Sequence, residues 1–229
     1  MLEDLKRQVY EANLLLTNYS LVTLTWGNVS GIDREKGIVA IKPSGVAYET
    51  MKWTDIVLVD LTTADLIEGG LKPSSDTPTH LEIYRNFSSI YGVVHTHSRW
   101  ATIMAQSGQS IPVFGTTHAD YFYGAIPCTR NLSDIEIEND YELNTGRLIV
   151  ETFTNTDPAA IPAVLIKGHG PFCWGETPIS AVENALVLEE TAMMAYHNLV
   201  FNKETVPISQ KLQDKHYLRK HGNNAYYGQ

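Results

Sequence analysis

The sequence has only two cysteines, Cys128 and Cys173, among its 229 residues. So few cysteines argue against a disulfide framework and predict a reducing, cytoplasmic location. Long apolar runs are also absent, since no stretch approaches the roughly 20 residues that a membrane-spanning helix needs. The start, Met1 to Asp4, is acidic and amphipathic, unlike a signal peptide.

Basic charge is scarce, with 17 Lys and Arg against 26 Asp and Glu and a net charge of -9. Nucleic-acid-binding domains usually carry a basic face, so the composition argues against that class. Neither a G-x-G-x-x-G fingerprint after a strand nor a P-loop is present. Hydrophobic residues make up 43% of the chain. Without an evident repeat or linker, residues 1–229 are expected to form one domain.

Hydrophobic spacing predicts an α/β protein. Apolar residues at helical intervals predict helices near residues 2–16, 77–87, 99–107, 179–200 and 209–220. Short β-branched runs predict strands near residues 37–41, 56–61, 92–97 and 163–166. Because strands and helices are interspersed, we expect a sheet with helices packed on it, of undecided strand direction.

Two histidines, His95 and His97, end one predicted strand. Residues two apart on a strand point to the same face, so this pair can chelate a divalent metal, although structural or surface roles fit equally well. His169, flanked by glycines in a sharp loop, is the best third ligand; a turn histidine bonded to the backbone is the alternative. Cys173, four residues further, is interpreted as a buried small residue.

Polar groups suggest a phosphate site beside this metal. Asp76 is the best carboxylate, although the N-cap of the following helix would explain it as well. Hydroxyls and free N–H groups at that helix start favour phosphate, and a second loop combines a cation, a hydroxyl and a glycine. The first set is Ser74 and Ser75, the second is Lys42, Ser44 and Gly45, and the segment Trp26-Gly27-Asn28 adds to them.

These motifs, in their order along nearly the whole chain, resemble the class II aldolase/adducin family. The resemblance implies a three-layer α/β/α sandwich with a central, largely antiparallel sheet. It also implies a homotetramer with four-fold symmetry and active sites between subunits. The resembling stretches are Thr25 to Ser30, Ile41 to Gly45, Pro73 to Asp76, Val94 to Ser98 and Gly168 to Phe172.

The resemblance also implies ligands and substrate contacts. Zinc would be held by three histidines, with a carboxylate beside or on the metal, and the phosphate by two serine-containing groups. The implied metal residues are His95, His97, His169 and Asp76. The implied phosphate and substrate residues are Ser44, Gly45, Ser74 and Ser75, with Gly27, Asn28 and Lys42 close by.

Two further segments, 115–124 and 214–229, resemble family members that interconvert L-ribulose 5-phosphate and D-xylulose 5-phosphate. Such members carry Asp where the aldolases carry Glu, and this chain has Asp76. The resemblance implies that Asp120 and Tyr227 of a neighbouring subunit exchange protons with the C4 oxygen. A loop carboxylate and an ordinary chain tail are the alternatives for these two residues. The implied supporting residues are Thr116, Glu142, His216 and Arg219.

The chemistry of C4 inversion favours carbon–carbon bond cleavage. A C2 carbonyl does not acidify the proton on C4, whereas breaking C3–C4 leaves an enediolate, which a metal stabilises, and glycolaldehyde phosphate. The aldehyde then rotates and is attacked on its other face. The alternatives are a zinc aldolase that releases both fragments, a zinc hydrolase, and a non-catalytic module like the adducin head. Arabinose and ascorbate or gulonate catabolism both use this reaction.

Overall fold

The computed structural model describes residues 2–222 and 224–227. Within them the chain forms helices and short strands; Met1, Asn223, Gly228 and Gln229, which belong to the predicted terminal segments, lie outside the described residues. The strands are β1 (Asn28–Asp33), β2 (Ile38–Ile41), β3 (Val57–Asp60), β4 (Leu66–Glu68), β5 (Gly92–His95), β6 (Ala163–Leu165) and β7 (Pro171–Gly175). The helices are α1 (Leu2–Asn18), α2 (Thr77–Asn86), α3 (Arg99–Ser107), α4 (Thr116–Ala119), α5 (Asp134–Glu138), α6 (Tyr141–Thr152), α7 (Pro178–Phe201) and α8 (Gln210–His221), with a 3-10 turn at Trp53–Asp55.

The strands of the described chain form one seven-stranded sheet in the order β4-β3-β2-β1-β5-β7-β6. Every neighbouring pair is antiparallel, as the family resemblance implies. Strands β2, β3 and β5 are rich in valine and isoleucine, and most of these side chains are almost fully buried.

Helices cover both faces of the sheet, and two neighbouring residues of β1 mark the two sides. Ser30 contacts α2, since its hydroxyl lies 2.7 Å from Nδ1 of His80 and 2.9 Å from the hydroxyl of Tyr84. Gly31 faces α1 and α7: an added Cβ there would lie 2.8 Å from Pro178 and 2.9 Å from Val9. Successive strand residues point to opposite faces, so the three-layer α/β/α arrangement is confirmed.

The strongly periodic elements agree with the prediction, and the missed ones have irregular sequences. The strand predicted at 92–97 ends at His95, so His97 lies beyond it. Strands β1, β4 and β7 and helices α4, α5 and α6 were not predicted. Strand β1 carries serine and glycine where an apolar pattern is expected, β7 begins with Pro171, and α6 contains Gly146.

No helix among the described residues is long and apolar enough to cross a membrane.

Candidate functional site

Three strand ends meet at one edge of the sheet and place the candidate ligands together. Asn28 at the start of β1 is the register partner of His95 at the end of β5. His95 is in turn paired with Phe172 of β7, and their rings stack at 4.3 Å with an interplanar angle of 17°. The antiparallel arrangement therefore brings residues distant in sequence to one place on the face that α2 covers.

The three predicted histidines converge through their Nε2 atoms. Nε2 of His97 lies 3.1 Å from Nε2 of His95 and 3.1 Å from Nε2 of His169. Nδ1 of His95 donates to the carbonyl of Pro171 at 2.9 Å, which leaves the Nε2 lone pair of His95 for a ligand. Three imidazole nitrogens facing one point are a donor set that zinc and similar divalent ions take. The residues present therefore fit a metal ion.

Burial keeps the imidazoles of His97 and His169 neutral. It lowers the pKa of His169 to about 4 and lowers the pKa of His97, with the neighbouring histidines acting in the same direction. A histidine must be unprotonated to ligate a metal. The site is thus prepared for a cation at neutral pH.

Asp76 lies beside the histidines and is held by Asn28. It occupies the N-cap position of α2, yet its side chain makes no capping hydrogen bond. Instead its Oδ2 accepts from Nδ2 of Asn28 at 2.7 Å. Burial opposes ionisation, but the imidazoles of His95 and His80 and the Asn28 amide outweigh it and hold the pKa of Asp76 below its usual value. Asp76 is therefore a fixed carboxylate beside the candidate metal ligands rather than a helix cap.

The histidines open into a cavity of about 560 Å³ that most of the predicted binding residues line. Its walls include each residue implied for the metal and for the phosphate. Of the supporting residues, Glu142 lines it. The predicted residues in its wall are Gly27, Asn28, Lys42, Ser44, Gly45, Ser74, Ser75, Asp76, His95, His97, Glu142 and His169.

The two serine groups, separated by about thirty residues in sequence, are adjacent in space. The backbone N–H of Ser44 donates to the carbonyl of Lys72 at 2.9 Å, and that of Ser74 donates to the carbonyl of Lys42 at 3.1 Å. Gly45 turns the first loop with a φ of +71°, which glycine adopts without strain. The two predicted phosphate sets thus form one wall of the cavity.

Lys42 is buried and braces this wall. Its ammonium donates to the carbonyl of Val46 at 2.7 Å and lies 4.8 Å from the centre of the Tyr48 ring. Burial lowers the pKa of Lys42 to about 8. The side chain therefore carries its charge at neutral pH and fixes the loop that contains Ser44.

The remaining predicted residues form a second cluster, which does not line this cavity. The Asp120 carboxylate accepts from Arg219 at 2.9 and 3.1 Å and lies 3.1 Å from Nδ1 of His216. The Arg219 guanidinium lies 4.1 Å from the centre of the Tyr227 ring, so one side chain links the two predicted proton-transfer residues. Thr116 begins α4, and its carbonyl accepts from the N–H of Asp120 at 2.9 Å.

Four residues of the cavity wall are not among the predicted site residues: Thr25, Trp26, Pro43 and Tyr141. Two of them contact candidate metal ligands. Trp26 is half-exposed beside His97, with ring centroids 6.1 Å apart. The hydroxyl of Tyr141 lies 3.2 Å from Nδ1 of His169. Trp26 belongs to the stretch Thr25 to Ser30 that resembles the family. For Tyr141, the only sign of a site role in the sequence is its position next to Glu142.

Comparison with known proteins identifies the family to which this antiparallel α/β/α sandwich belongs. The family model described as Class II Aldolase and Adducin N-terminal domain matches residues 7–196. The chain therefore belongs to the class II aldolase and adducin family.

Solved structures with the same fold include sugar-phosphate aldolases. An L-fuculose 1-phosphate aldolase is 24% identical, with 93% of this chain and 94% of that chain covered and a TM-score of 0.79. A putative aldolase/epimerase/decarboxylase from Klebsiella pneumoniae is 21% identical, with 93% and 97% covered and a TM-score of 0.73. The L-fuculose-1-phosphate aldolase from Thermus thermophilus is 21% identical, with 89% and 98% covered and a TM-score of 0.68. At these identities the likeness establishes the fold alone.

Proposed function

We propose that the chain is a zinc-dependent L-ribulose-5-phosphate 4-epimerase, which interconverts L-ribulose 5-phosphate and D-xylulose 5-phosphate. The observation that carries the proposal is the juxtaposition of the histidine triad, an immobilised Asp76 and a serine-lined wall in one cavity. The triad also argues against a non-catalytic module, because such a role has no use for three converging imidazoles.

The metal residues would be His95, His97 and His169, with Asp76 beside or on the ion. A divalent ion held there supplies Lewis-acid stabilisation of the anionic three-carbon fragment that cleavage of C3–C4 leaves. Asp76 is already hydrogen-bonded to Asn28 at 2.7 Å. Since this short carboxylate is fixed, the proton transfers at the C4 oxygen fall to other residues.

Those transfers are assigned to Asp120 and Tyr227 of a neighbouring subunit. One of them takes the C4 hydroxyl proton as the C3–C4 bond breaks, and the other returns a proton when the rotated aldehyde is attacked again. In the described chain both residues contact Arg219 and neither lines the metal cavity. In a homotetramer with active sites between subunits, Asp120 and Tyr227 of one subunit would lie beside the metal cavity of its neighbour.

Incubation of the zinc-loaded protein with L-ribulose 5-phosphate tests the reaction. We expect D-xylulose 5-phosphate to form, and we expect a chelator to abolish its formation. A second candidate, a zinc aldolase, is favoured by the fold likeness to L-fuculose 1-phosphate aldolase. Accumulation of dihydroxyacetone and glycolaldehyde phosphate without D-xylulose 5-phosphate would establish that alternative and refute the epimerase.

Subunit mixing tests the shared site. His97→Asn and Asp120→Asn are each expected to be inactive, because one lacks a ligand and the other a proton-transfer group. Co-refolded in equal amounts, they should recover about one quarter of wild-type activity, since a heterologous interface pairs an intact triad with an intact Asp120 in that share of sites. Absence of any recovery in proven mixed oligomers would place both groups in one chain.

A further inference from the structure

We infer that Tyr141 is a positioning residue for the metal ligand His169, a role that rests on the metal site proposed above. The hydroxyl oxygen of Tyr141 lies 3.2 Å from Nδ1 of His169, and the two rings are tilted by 38° at a centroid distance of 6.2 Å. Both side chains line the same cavity.

The tautomer of His169 decides which group donates and which accepts in the contact with Tyr141. Nε2 of His169 faces the other two ligand nitrogens, 3.1 Å from Nε2 of His97. A neutral imidazole carries a single N–H, so a ring that ligates through Nε2 has its hydrogen on Nδ1. In that tautomer Nδ1 of His169 would donate to the oxygen of Tyr141, 3.2 Å away. An acceptor in this position selects the ligating tautomer and fixes the plane of the ring.

His95 is held in the same way, but by the main chain. Its Nδ1 donates to the carbonyl of Pro171 at 2.9 Å, and its ring stacks on Phe172. Two of the three candidate ligands therefore present Nε2 because an acceptor occupies Nδ1. The acceptor for His169 is a side chain, so a single substitution can remove it.

Helix α6 is fixed so that its first residue, Tyr141, reaches the site. The hydroxyl of Thr79 on α2 donates to the carbonyl of Glu142 at 2.5 Å. Gly146 lets the two helices approach closely, because a Cβ there would lie 2.6 Å from Cβ of Glu82. Since α2 follows Asp76 directly, Tyr141 is braced against the helix that carries the carboxylate of the site.

The backbone conformation of Asp140, the residue before Tyr141, also indicates that the start of α6 is held in a fixed position. Asp140 has a φ of +52° and a ψ of +50°, the left-handed region that side chains other than glycine and asparagine rarely adopt. Such a conformation persists where the surrounding contacts hold it, and it recurs at ligand-binding sites. Here it turns the chain so that α6 begins at Tyr141.

Tyr141→Phe tests the inference, with Tyr91→Phe as the matched control. Tyr91 is exposed and precedes β5, at the opposite end of that strand from His95. Zinc affinity is measured by competition with a chromophoric chelator, and geometry by the visible spectrum of the cobalt(II)-loaded protein. We expect Tyr141→Phe to weaken zinc binding about 10- to 100-fold and to alter the cobalt bands, whereas Tyr91→Phe changes neither.

A second measurement uses the zinc-loaded wild-type protein alone. Nitrogen-15 NMR of the histidine rings should find His169 as the Nδ1–H tautomer, with that proton protected from exchange. An Nε2–H tautomer, or a fully exposed Nδ1–H, would overturn the role of Tyr141 even if the variant failed to fold.

The outcomes separate this inference from the proposed function. If the wild-type protein binds zinc and Tyr141→Phe binds it equally well with the same cobalt spectrum, the inference is overturned and the zinc site stands. A loss of kcat at unchanged zinc affinity also overturns it, because the phenol then acts on the substrate. If the wild-type protein binds no divalent metal, the proposed function and the inference fail together.

Discussion

Gly170 separates the loop that carries His169 from the segment that carries His97, and it has no room for a side chain. An added Cβ would lie 2.8 Å from the carbonyl oxygen of Thr96 and 3.6 Å from Cδ2 of His97. The substitution Gly170→Ala therefore places a methyl group next to His169 against the backbone that precedes His97, without removing either candidate ligand.

The size of the displacement follows from that contact. Ordinary van der Waals contact begins near 3.4 Å, so the loop that contains Gly170 and the backbone of Thr96 must move apart by about 0.6 Å. Metal–ligand distances tolerate only about 0.2 Å, so the three nitrogens of the variant cannot all hold their places. We expect zinc affinity to fall at least about 10-fold, and overpacking to lower the free energy of unfolding of the metal-free protein by about 1–3 kcal/mol.

Isothermal titration with zinc and urea unfolding in chelator measure these two effects. Gly70→Ala is the control, since a Cβ there would meet nothing within 4 Å, and it should change stability by less than about 0.5 kcal/mol. Wild-type zinc affinity in a folded Gly170→Ala variant would refute the reasoning, because the loop would then shift without disturbing the ligands.

Two predictions concern pH and the metal-free protein. Burial lowers the pKa of Lys42 to about 8 from 10.5, so between pH 8 and 10 the unfolded state binds more protons than the folded state. The free energy of unfolding of the wild-type protein should therefore rise by up to about 1.4 kcal/mol per pH unit relative to that of Lys42→Met. Free energies from urea unfolding that change with pH in the same way for both proteins would contradict this. Burial lowers the pKa of His118 to about 4 from 6.5, so stability should fall as pH drops from 6 to 4.5. His118→Asn should remove up to about 1.4 kcal/mol per pH unit of that loss, whereas an unchanged slope would mean that His118 titrates normally in the folded protein.

Helices and strands whose buried residues recur at a regular interval could be predicted from the sequence. Those whose residues are chosen to fit particular tertiary neighbours could not. Helix α7 buries residues at helical intervals from Pro178 to Ala195, so a helix could be predicted there. Strand β1 is different, because Ser30 serves a buried network with His80 and Tyr84 and Gly31 makes room for Pro178. These partners lie about 50 or more residues away, so no local window contains the reason for either residue.

The candidate site divides in the same way. His95 and His97 are close in sequence, and the motif predicted that their imidazoles meet. Strand alternation is not the reason, because β5 ends at His95. Asp76 had two equal interpretations, and only the contact with Asn28, 48 residues away, decides between cap and site carboxylate. Tyr141 was missed because its relation to His169 depends on how α6 packs on α2.

The cavity also bears on whether this chain would release or retain its fragments. In the proposed reaction the phosphate stays on the two-carbon aldehyde, while the anionic three-carbon fragment stays at the metal. The serine wall and the histidines belong to one cavity of about 560 Å³, so in the proposed reaction both fragments would be held after the bond breaks. With the phosphate fixed, the aldehyde carbon can turn its other face only by rotation about its own bonds. Inversion at C4 then requires an acid–base group on each side of the C4 oxygen, one to take a proton and one to return it. In the proposed reaction the pair joined by Arg219 on a neighbouring subunit would supply a carboxylate and a phenol for these two transfers.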